Sequence, residues 1–195
     1  MGQSTKPILF NTEMVRAILD GRKTVTRRVI KPQTVTHNGP GGQTTQSLDE
    51  FMDANKKDAE LLARACAPYQ IGDILYVRET WLLADGCDGE KYYYKSDIKV
   101  PSESDDLRKA YGYKWRPSIH MPKEAARIFL KVTGVRVERL QDMIEADAIA
   151  EGMTFDYNPG FEFMNLWDST VKPADLPTYG WNANPWVWVI EFERV

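Results

Sequence analysis

The sequence predicts an α+β fold in which short strands form a small mixed β-barrel with peripheral helices. The apolar runs are mostly of strand length, and helical periodicity is confined to a few short segments. Strands and helices do not alternate in the rhythm of a parallel βαβ protein, and no internal repeat is visible. With 195 residues, 43% of them hydrophobic, the chain can bury its core as a single domain spanning residues 1–195.

The first elements are a strand and an amphipathic helix. Residues 8–10 form a short apolar run that predicts the strand. Asn11 or Thr12 can cap the helix that follows, because their side chains accept from its free N–H groups. Gly21 stands where this helix would end, since glycine tolerates the left-handed conformation at that position. The predicted apolar face of the helix comprises Met14, Val15, Ile18 and Leu19.

Residues 33–68 differ in character from the rest of the chain. Segment 34–47 is rich in Thr, Gln, Gly and Asn, which predicts a flexible loop. Segment 48–67 predicts a helix with Phe51, Leu61 and Leu62 as weak apolar anchors. The whole stretch is too short and too polar to hold a core of its own, so we interpret it as an insertion into the single domain.

The remaining elements complete the barrel pattern. In the last strand, alternation predicts that Trp188, Ile190 and Phe192 face inward while Glu191 and Glu193 face outward. Segment 115–122 is expected to be irregular, because its prolines do not fit a central strand. The predicted strands cover residues 74–77, 92–94, 127–139 and 186–192, and the predicted helices cover residues 144–150 and 161–167.

The charge is unevenly distributed along the chain. The formal net charge is −3, but residues 1–36 contain seven Lys and Arg against two Asp and Glu. A basic segment on an acidic body indicates a local anionic partner rather than a wide duplex footprint. The spacing of Cys66, Cys87 and the two histidines does not match that of zinc ligands. The sequence therefore predicts no metal ion and no cofactor. Without an apolar leader or spanning stretch, we expect a soluble, cytoplasmic protein that does not bind a membrane.

The basic segment 21–28 contains the strongest candidates for chemistry. In a helical turn, Lys23 and Thr26 would meet as i and i+3 neighbours. In a strand, Arg22, Thr24, Thr26 and Arg28 would share a face instead, with Lys23 pointing away. A lysine amine beside a threonine hydroxyl can remove its proton and activate it as a nucleophile. Without that pairing, Thr26 is an ordinary strand threonine and Lys23 is a surface cation.

Further candidates lie near strand ends and in the irregular segment. Arg78 and Glu79 leave a strong strand, where a charged pair can line the mouth of a barrel. Trp81, Trp115 and Arg116 can stack on a nucleobase, although such tryptophans more often pack in a core or at its rim. His120 stands among prolines and can serve either as a structural hydrogen-bonding group or as a proton shuttle.

The segment Gly21-x-Lys23-x-x-Thr26-x-Arg28 resembles the signature of the ASCH domain, a relative of the PUA RNA-binding fold. The usual ASCH pattern has glutamate where this chain has Thr26. One bacterial ASCH branch, the N4-acetylcytidine amidohydrolases, is similar in having threonine there. Other blocks resemble phage and prophage ASCH proteins, namely residues 78–81, 115–122 and 184–188.

The resemblance implies a PUA-like fold and an amidohydrolase that removes an acyl group from an N4-acylated cytosine nucleoside. The catalytic lysine and threonine of that branch correspond to Lys23 and Thr26. Its glutamate follows a Val-Thr strand and a short helix and precedes x-Met-Thr, which matches Glu151. Residues expected to bind the nucleoside or single-stranded RNA are Arg22, Arg28, Arg78, Glu79, Trp81, Trp115, Arg116 and His120. The alternatives are a non-catalytic RNA-binding module, with Arg22, Arg27, Arg28 and Lys31 on phosphates, or a ribonuclease.

Overall fold

A computed structural model describes residues 5–39, 42–54, 66–86, 89–98, 112–154 and 158–195 of the chain. Within these ranges the fold is α+β, as the sequence predicts. The strands are β1 (Thr5–Leu9), β2 (Val25–Val29), β3 (Thr34–Gly39), β4 (Gly42–Ser47), β5 (Ile74–Arg78), β6 (Trp81–Gly86), β7 (Gly89–Tyr94), β8 (Phe129–Arg139) and β9 (Trp186–Arg194). The helices are α1 (Thr12–Leu19), α2 (Leu48–Ala54), α3 (Glu145–Ala150), α4 (Pro159–Thr170) and α5 (Leu176–Tyr179), with short 3₁₀ turns between elements.

Five of the strands form one mixed sheet in the order β1-β5-β8-β9-β2. The β1–β5 pair is parallel, whereas the β5–β8 and β2–β9 pairs are antiparallel. Two hairpins, β3–β4 and β6–β7, form separate two-stranded sheets. Within the described residues, the sheet order contains no pairing between its edge strands β1 and β2.

The chain divides into two compact units. Unit 1 comprises residues 1–23, 72–131 and 193–195, and unit 2 comprises residues 24–71 and 132–192. One core cluster of unit 1 contains the buried residues Trp81, Met121 and Ala125. A core cluster of unit 2 comprises Val25, Leu140, Ala148, Met153, Phe163, Trp167, Val187 and Val189. No helix in the described part of the chain combines the length and apolar character needed to cross a membrane.

The first helix follows the sequence prediction closely. The side chain of Asn11 caps α1 by accepting from the backbone N–H of Met14 at 2.8 Å. Val15 and Ile18 are buried on its apolar face. Gly21 follows with φ of +75°, the left-handed conformation expected of glycine beyond a helix end. The backbone N–H groups of Arg22 and Lys23 then both donate to the Ala17 carbonyl, at 2.9 and 3.0 Å.

A β-hairpin occupies the segment for which the sequence predicted a flexible loop, so the prediction for residues 34–47 was wrong. Strands β3 and β4 pair from Thr34 with Ser47 to Gly39 with Gly42. The hydroxyl oxygens of Thr36 and Thr45 lie 3.1 Å apart across the pair. The β-branched residues Thr34, Val35, Thr36, Thr44 and Thr45 favour strands within an otherwise polar segment, a signal that composition alone conceals.

The other predicted elements are largely confirmed, with two corrections. The helix expected over residues 48–67 begins at Leu48 with Phe51 buried, and its described part ends at Ala54; Leu61 and Leu62 lie outside the described residues. The helix predicted over 161–167 begins earlier, at Pro159, because Asn158 caps it. In β9, both faces are buried rather than one. The reason is that β9 lies between β8 and β2 and packs on both faces.

Candidate functional site

The basic segment forms an edge strand of the sheet. Strand β2 begins at Val25 and pairs with β9, with Thr26 opposite Ile190. The interpretation of a helical turn joining Lys23 to Thr26 is therefore wrong, since β-branched Val25, Thr26 and Val29 favour the extended conformation. Thr26 and Arg28 share a face of the strand, as the alternative interpretation predicted. Arg22 and Thr24 precede the strand rather than belonging to it.

Thr26 is almost completely buried, with 1% of its surface exposed. Its hydroxyl oxygen accepts a hydrogen bond from Arg28 Nη1 at 2.9 Å. The same nitrogen donates to the Arg27 carbonyl at 3.1 Å, which fixes the guanidinium over the strand. A hydroxyl oxygen that accepts from a guanidinium keeps its own proton available, and the positive charge favours the ionised hydroxyl.

Glu151 comes to this strand from the end of helix α3. It is the C-terminal cap residue of α3 and is 3% exposed. The backbone N–H of Thr24 donates to the Ala150 carbonyl at 2.9 Å, which ties the start of the basic segment to the end of that helix. The Glu151 carboxylate accepts from Arg27 Nη1 at 3.3 Å. The structure thus brings Thr26, Arg28 and Glu151 together in unit 2.

Burial sets the electrostatics of Arg28. It lowers the pKa of the guanidinium, while the nearby charges of Glu151 and Tyr69 act in the opposite direction. Burial also raises the pKa of the Tyr69 phenol, and the charge of Arg28 opposes that rise. Tyr69 is therefore a member of this cluster that the sequence did not single out.

Arg27 is the main residue whose role the sequence did not reveal. Its side chain has no exposed surface, so the expectation that it contacts phosphates was wrong. Its guanidinium instead meets carboxylates from three places in the chain. Nη2 lies 2.5 Å from Glu138 Oε1 and 3.5 Å from Asp147 Oδ2, and Nη1 binds Glu151. These partners are more than 100 residues away in sequence, which is why no local motif announced them.

Lys23 belongs to unit 1 and is 2% exposed. Its amine lies 5.6 Å from the centroid of the Phe10 ring, a cation–π distance. Arg22, by contrast, is exposed and pairs with Asp20 at 3.1 Å. Lys31, in unit 2, lies over the Tyr179 ring at 4.2 Å and 4.0 Å from Asp175.

The other candidate residues lie together in unit 1. Arg78 Nε donates to the Met121 carbonyl at 2.9 Å, and its Nη2 donates to the Ile119 carbonyl. These bonds hold the irregular segment that contains His120, whose side chain is exposed. Glu79 is 1% exposed, and its Oε1 accepts from Arg127 Nε at 3.0 Å.

In unit 1, Trp81 packs against other side chains. Trp81 is 3% exposed and contacts the ring of Tyr92 at 5.7 Å between centroids. The guanidinium carbon of Arg116 lies over the Trp81 ring, 5.0 Å from the ring centroid. Within the described residues, the indole nitrogens of Trp81 and Trp115 are buried and make no hydrogen bond. Among those residues, no group of His, Cys, Asp and Glu is arranged to hold a metal ion.

Fold and site together define an α+β protein in which threonine and arginine on an edge strand cluster with a buried glutamate from the end of α3. Two solved structures are similar to this chain. An ASCH domain from Lactobacillus crispatus JV V101 is 12% identical, with a TM-score of 0.44 over 98% of this chain and 79% of that one. Protein EF3133 from Enterococcus faecalis V583, described as DUF984, is 11% identical, with a TM-score of 0.43 over 100% of this chain and 77% of that one.

An ASCH domain is thus among the structures similar to this chain. No protein-family model matches the sequence, and no curated protein matches it.

Proposed function

We propose that the protein is an amidohydrolase that removes the acyl group from an N4-acylated cytosine nucleoside. Thr26 is the nucleophile, Lys23 is the base that accepts its proton, and Glu151 orients the lysine or relays a proton to the departing amine. The observation that carries the proposal is burial. The lysine, threonine and glutamate chosen from the sequence motif are 2%, 1% and 3% exposed, whereas such polar groups ordinarily lie at the surface.

The reaction proceeds in two stages, transfer of the acyl group to Thr26 and hydrolysis of the resulting ester. Thr26 Oγ forms a bond to the acyl carbonyl carbon, and Lys23 takes the hydroxyl proton. The carbon–N4 bond then breaks, and the proton passes to N4, so that cytidine leaves with a neutral amino group and the acyl group remains as an ester on Thr26. Water adds to the ester and releases the carboxylic acid, which restores the hydroxyl. General acid–base catalysis of this kind contributes about 10²–10⁴-fold.

Two features support this assignment of roles. Lys23 is 2% exposed, so its amine is shielded from bulk water. Arg28 donates to Thr26 Oγ1 at 2.9 Å, and a guanidinium at that oxygen lowers the cost of forming the nucleophile. The proposal needs no metal ion, because activation of the nucleophile and of the leaving group both come from side chains.

The test is release of cytidine from N4-acetylcytidine by the purified protein, followed by chromatography. We expect turnover by the wild type and a loss of 10²-fold or more in kcat, on the order of one missing catalytic group, for Lys23→Met, Thr26→Val and Glu151→Gln. The matched control is Thr24→Val, which removes the same hydroxyl from an exposed position two residues away. Thr26→Ser keeps a hydroxyl and is expected to retain part of the activity.

Absence of cytidine from the wild type, or equal activity in Thr26→Val and Thr24→Val, rules the proposal out. A gel of labelled single-stranded RNA incubated with the same protein separates the remaining alternatives. Shortened RNA would indicate a ribonuclease, and a retarded but intact band would indicate a non-catalytic RNA-binding module.

A further inference from the structure

Arg27 is a fully buried arginine that the proposed reaction does not use directly. It lies on β2 directly after Thr26, and its side chain has no exposed surface. A buried arginine remains charged and must therefore be matched by carboxylates. Glu138 provides the closest match, since its Oε1 accepts from both Nε at 3.1 Å and Nη2 at 2.5 Å.

The carboxylates on Arg27 do not all belong to it alone. Glu138 and Asp147 also pair with Arg136, at 3.1 and 3.6 Å. Arg136 is 39% exposed, and it pairs in turn with Glu191, which is 45% exposed. Two arginines and four carboxylates thus form one network from the surface of unit 2 to its interior. Glu151 is the buried end of this network, and within it Arg27 is the arginine that Glu151 contacts.

We infer that Arg27 is a positioning residue, held by Glu138 and Asp147, which keeps the Glu151 carboxylate correctly placed for hydrolysis. This inference rests on the proposed function and adds to it the contact that places Glu151. A guanidinium shared among carboxylates stabilises each of them less than it would stabilise one alone. Glu138 therefore acts on Glu151 through Arg27.

The charged groups around Arg27 and Glu151 come from several elements. Arg27 and Arg28 are on β2, while Glu138 on β8 and Asp147 on α3 contact Arg27. Tyr69 acts on Arg28 from the segment before β5. Glu138→Gln removes one of the carboxylates that hold the Arg27 guanidinium, and the effect reaches Glu151 through Arg27.

The first test is the division of the effect between kcat and KM for hydrolysis of N4-acetylcytidine. Arg27→Met should lower kcat by about 10-fold or more with little change in KM, because a displaced carboxylate still allows the substrate to bind, and Arg27→Lys should restore part of kcat. Glu138→Gln should lower kcat in the same way, because it removes a carboxylate that holds Arg27. The matched control is Glu191→Gln, which removes a carboxylate from the same network at Arg136 rather than at Arg27; its kcat should stay near that of the wild type.

The second test does not need activity. The free energy of unfolding is measured for Arg27→Met, for Glu151→Gln and for the double variant. If Arg27 matches the charge of Glu151, the double variant is more stable than the sum of the two single losses predicts. Additive losses, or equal kcat in Glu138→Gln and Glu191→Gln, overturn the inference. Coupling without any release of cytidine would overturn the proposed amidohydrolase while leaving the pairing of Arg27 with Glu151 in place.

Discussion

The side-chain carboxylate of Glu79 joins three parts of unit 1. Its oxygens accept from Arg127 at 3.0 and 3.3 Å and from the Ser96 hydroxyl. Arg16 of α1 donates to the backbone carbonyl of Ser96 at 3.0 Å, so the same contact reaches the first helix. Arg127 also pairs with Asp97 at 2.7 Å, but Asp97 is 51% exposed. One arginine thus has a buried and an exposed partner, which are expected to differ in their effect on stability.

We predict that Glu79→Gln lowers the free energy of unfolding by about 2 kcal/mol. The reason is that the substitution removes the buried negative charge while Arg127 remains. Asp97→Asn is the control and should cost less than about 1 kcal/mol, because solvent screens an exposed pair. Urea denaturation followed by tryptophan fluorescence measures both. Equal losses in the two variants would show that burial does not distinguish the two partners.

Helix α1 determines where the backbone of Lys23 lies. After α1, Gly21 turns the chain back with a φ of +75°, and the N–H groups of Arg22 and Lys23 donate to Ala17. A Cβ at Gly21 would meet no atom within 4 Å. The position therefore restricts substitution through its backbone conformation and not through space.

We predict that Gly21→Ala lowers the free energy of unfolding by about 1–2 kcal/mol, the usual cost of a left-handed residue with a Cβ. It should also lower the rate of cytidine release, because Lys23 loses its backbone anchor. Gly21→Asn is expected to do less damage, since asparagine enters this conformation more readily. Thermal unfolding and the cytidine assay test this. If asparagine is no better tolerated than alanine, the backbone conformation is not what Gly21 supplies.

An element could be predicted where the residues that determine it are close together in the sequence. Helix α1 was predictable because its cap, its apolar face and its terminal glycine lie within about three turns of sequence. The β3–β4 hairpin was missed because polar cross-strand pairs such as Thr36 with Thr45 resemble a loop in composition. In the site, Lys23, Thr26 and Glu151 were chosen by motif, and each proves to be buried. The partners of Arg27 could not be predicted, because they depend on strand and helix packing far along the chain.

At the scale of the whole molecule, the positive side chains of the first 36 residues do not form a positively charged surface. The seven cations there were expected to offer an anion-binding patch. In the structure, Lys23 and Arg27 are buried, and four others have carboxylates within reach. Those four pairs are Lys6 with Asp73, Arg16 with Glu13, Arg22 with Asp20 and Lys31 with Asp175. With a net charge of −3 in addition, the protein lacks the excess of positive charge that drives non-specific RNA binding.

We therefore predict that the wild type binds single-stranded RNA no more tightly than about 10⁻⁴ M at physiological salt, the weak end of non-specific association. The matched variant is Asp20→Asn with Asp175→Asn, which removes the carboxylates beside exposed Arg22 and Lys31 without adding a cation. It should bind a labelled oligonucleotide more tightly and with a steeper loss of affinity as salt is raised, because more phosphates can then be neutralised. Fluorescence anisotropy across a salt series measures both. Tight, strongly salt-dependent binding by the wild type would favour an RNA-binding module, since its cations would then reach phosphates despite their carboxylate neighbours.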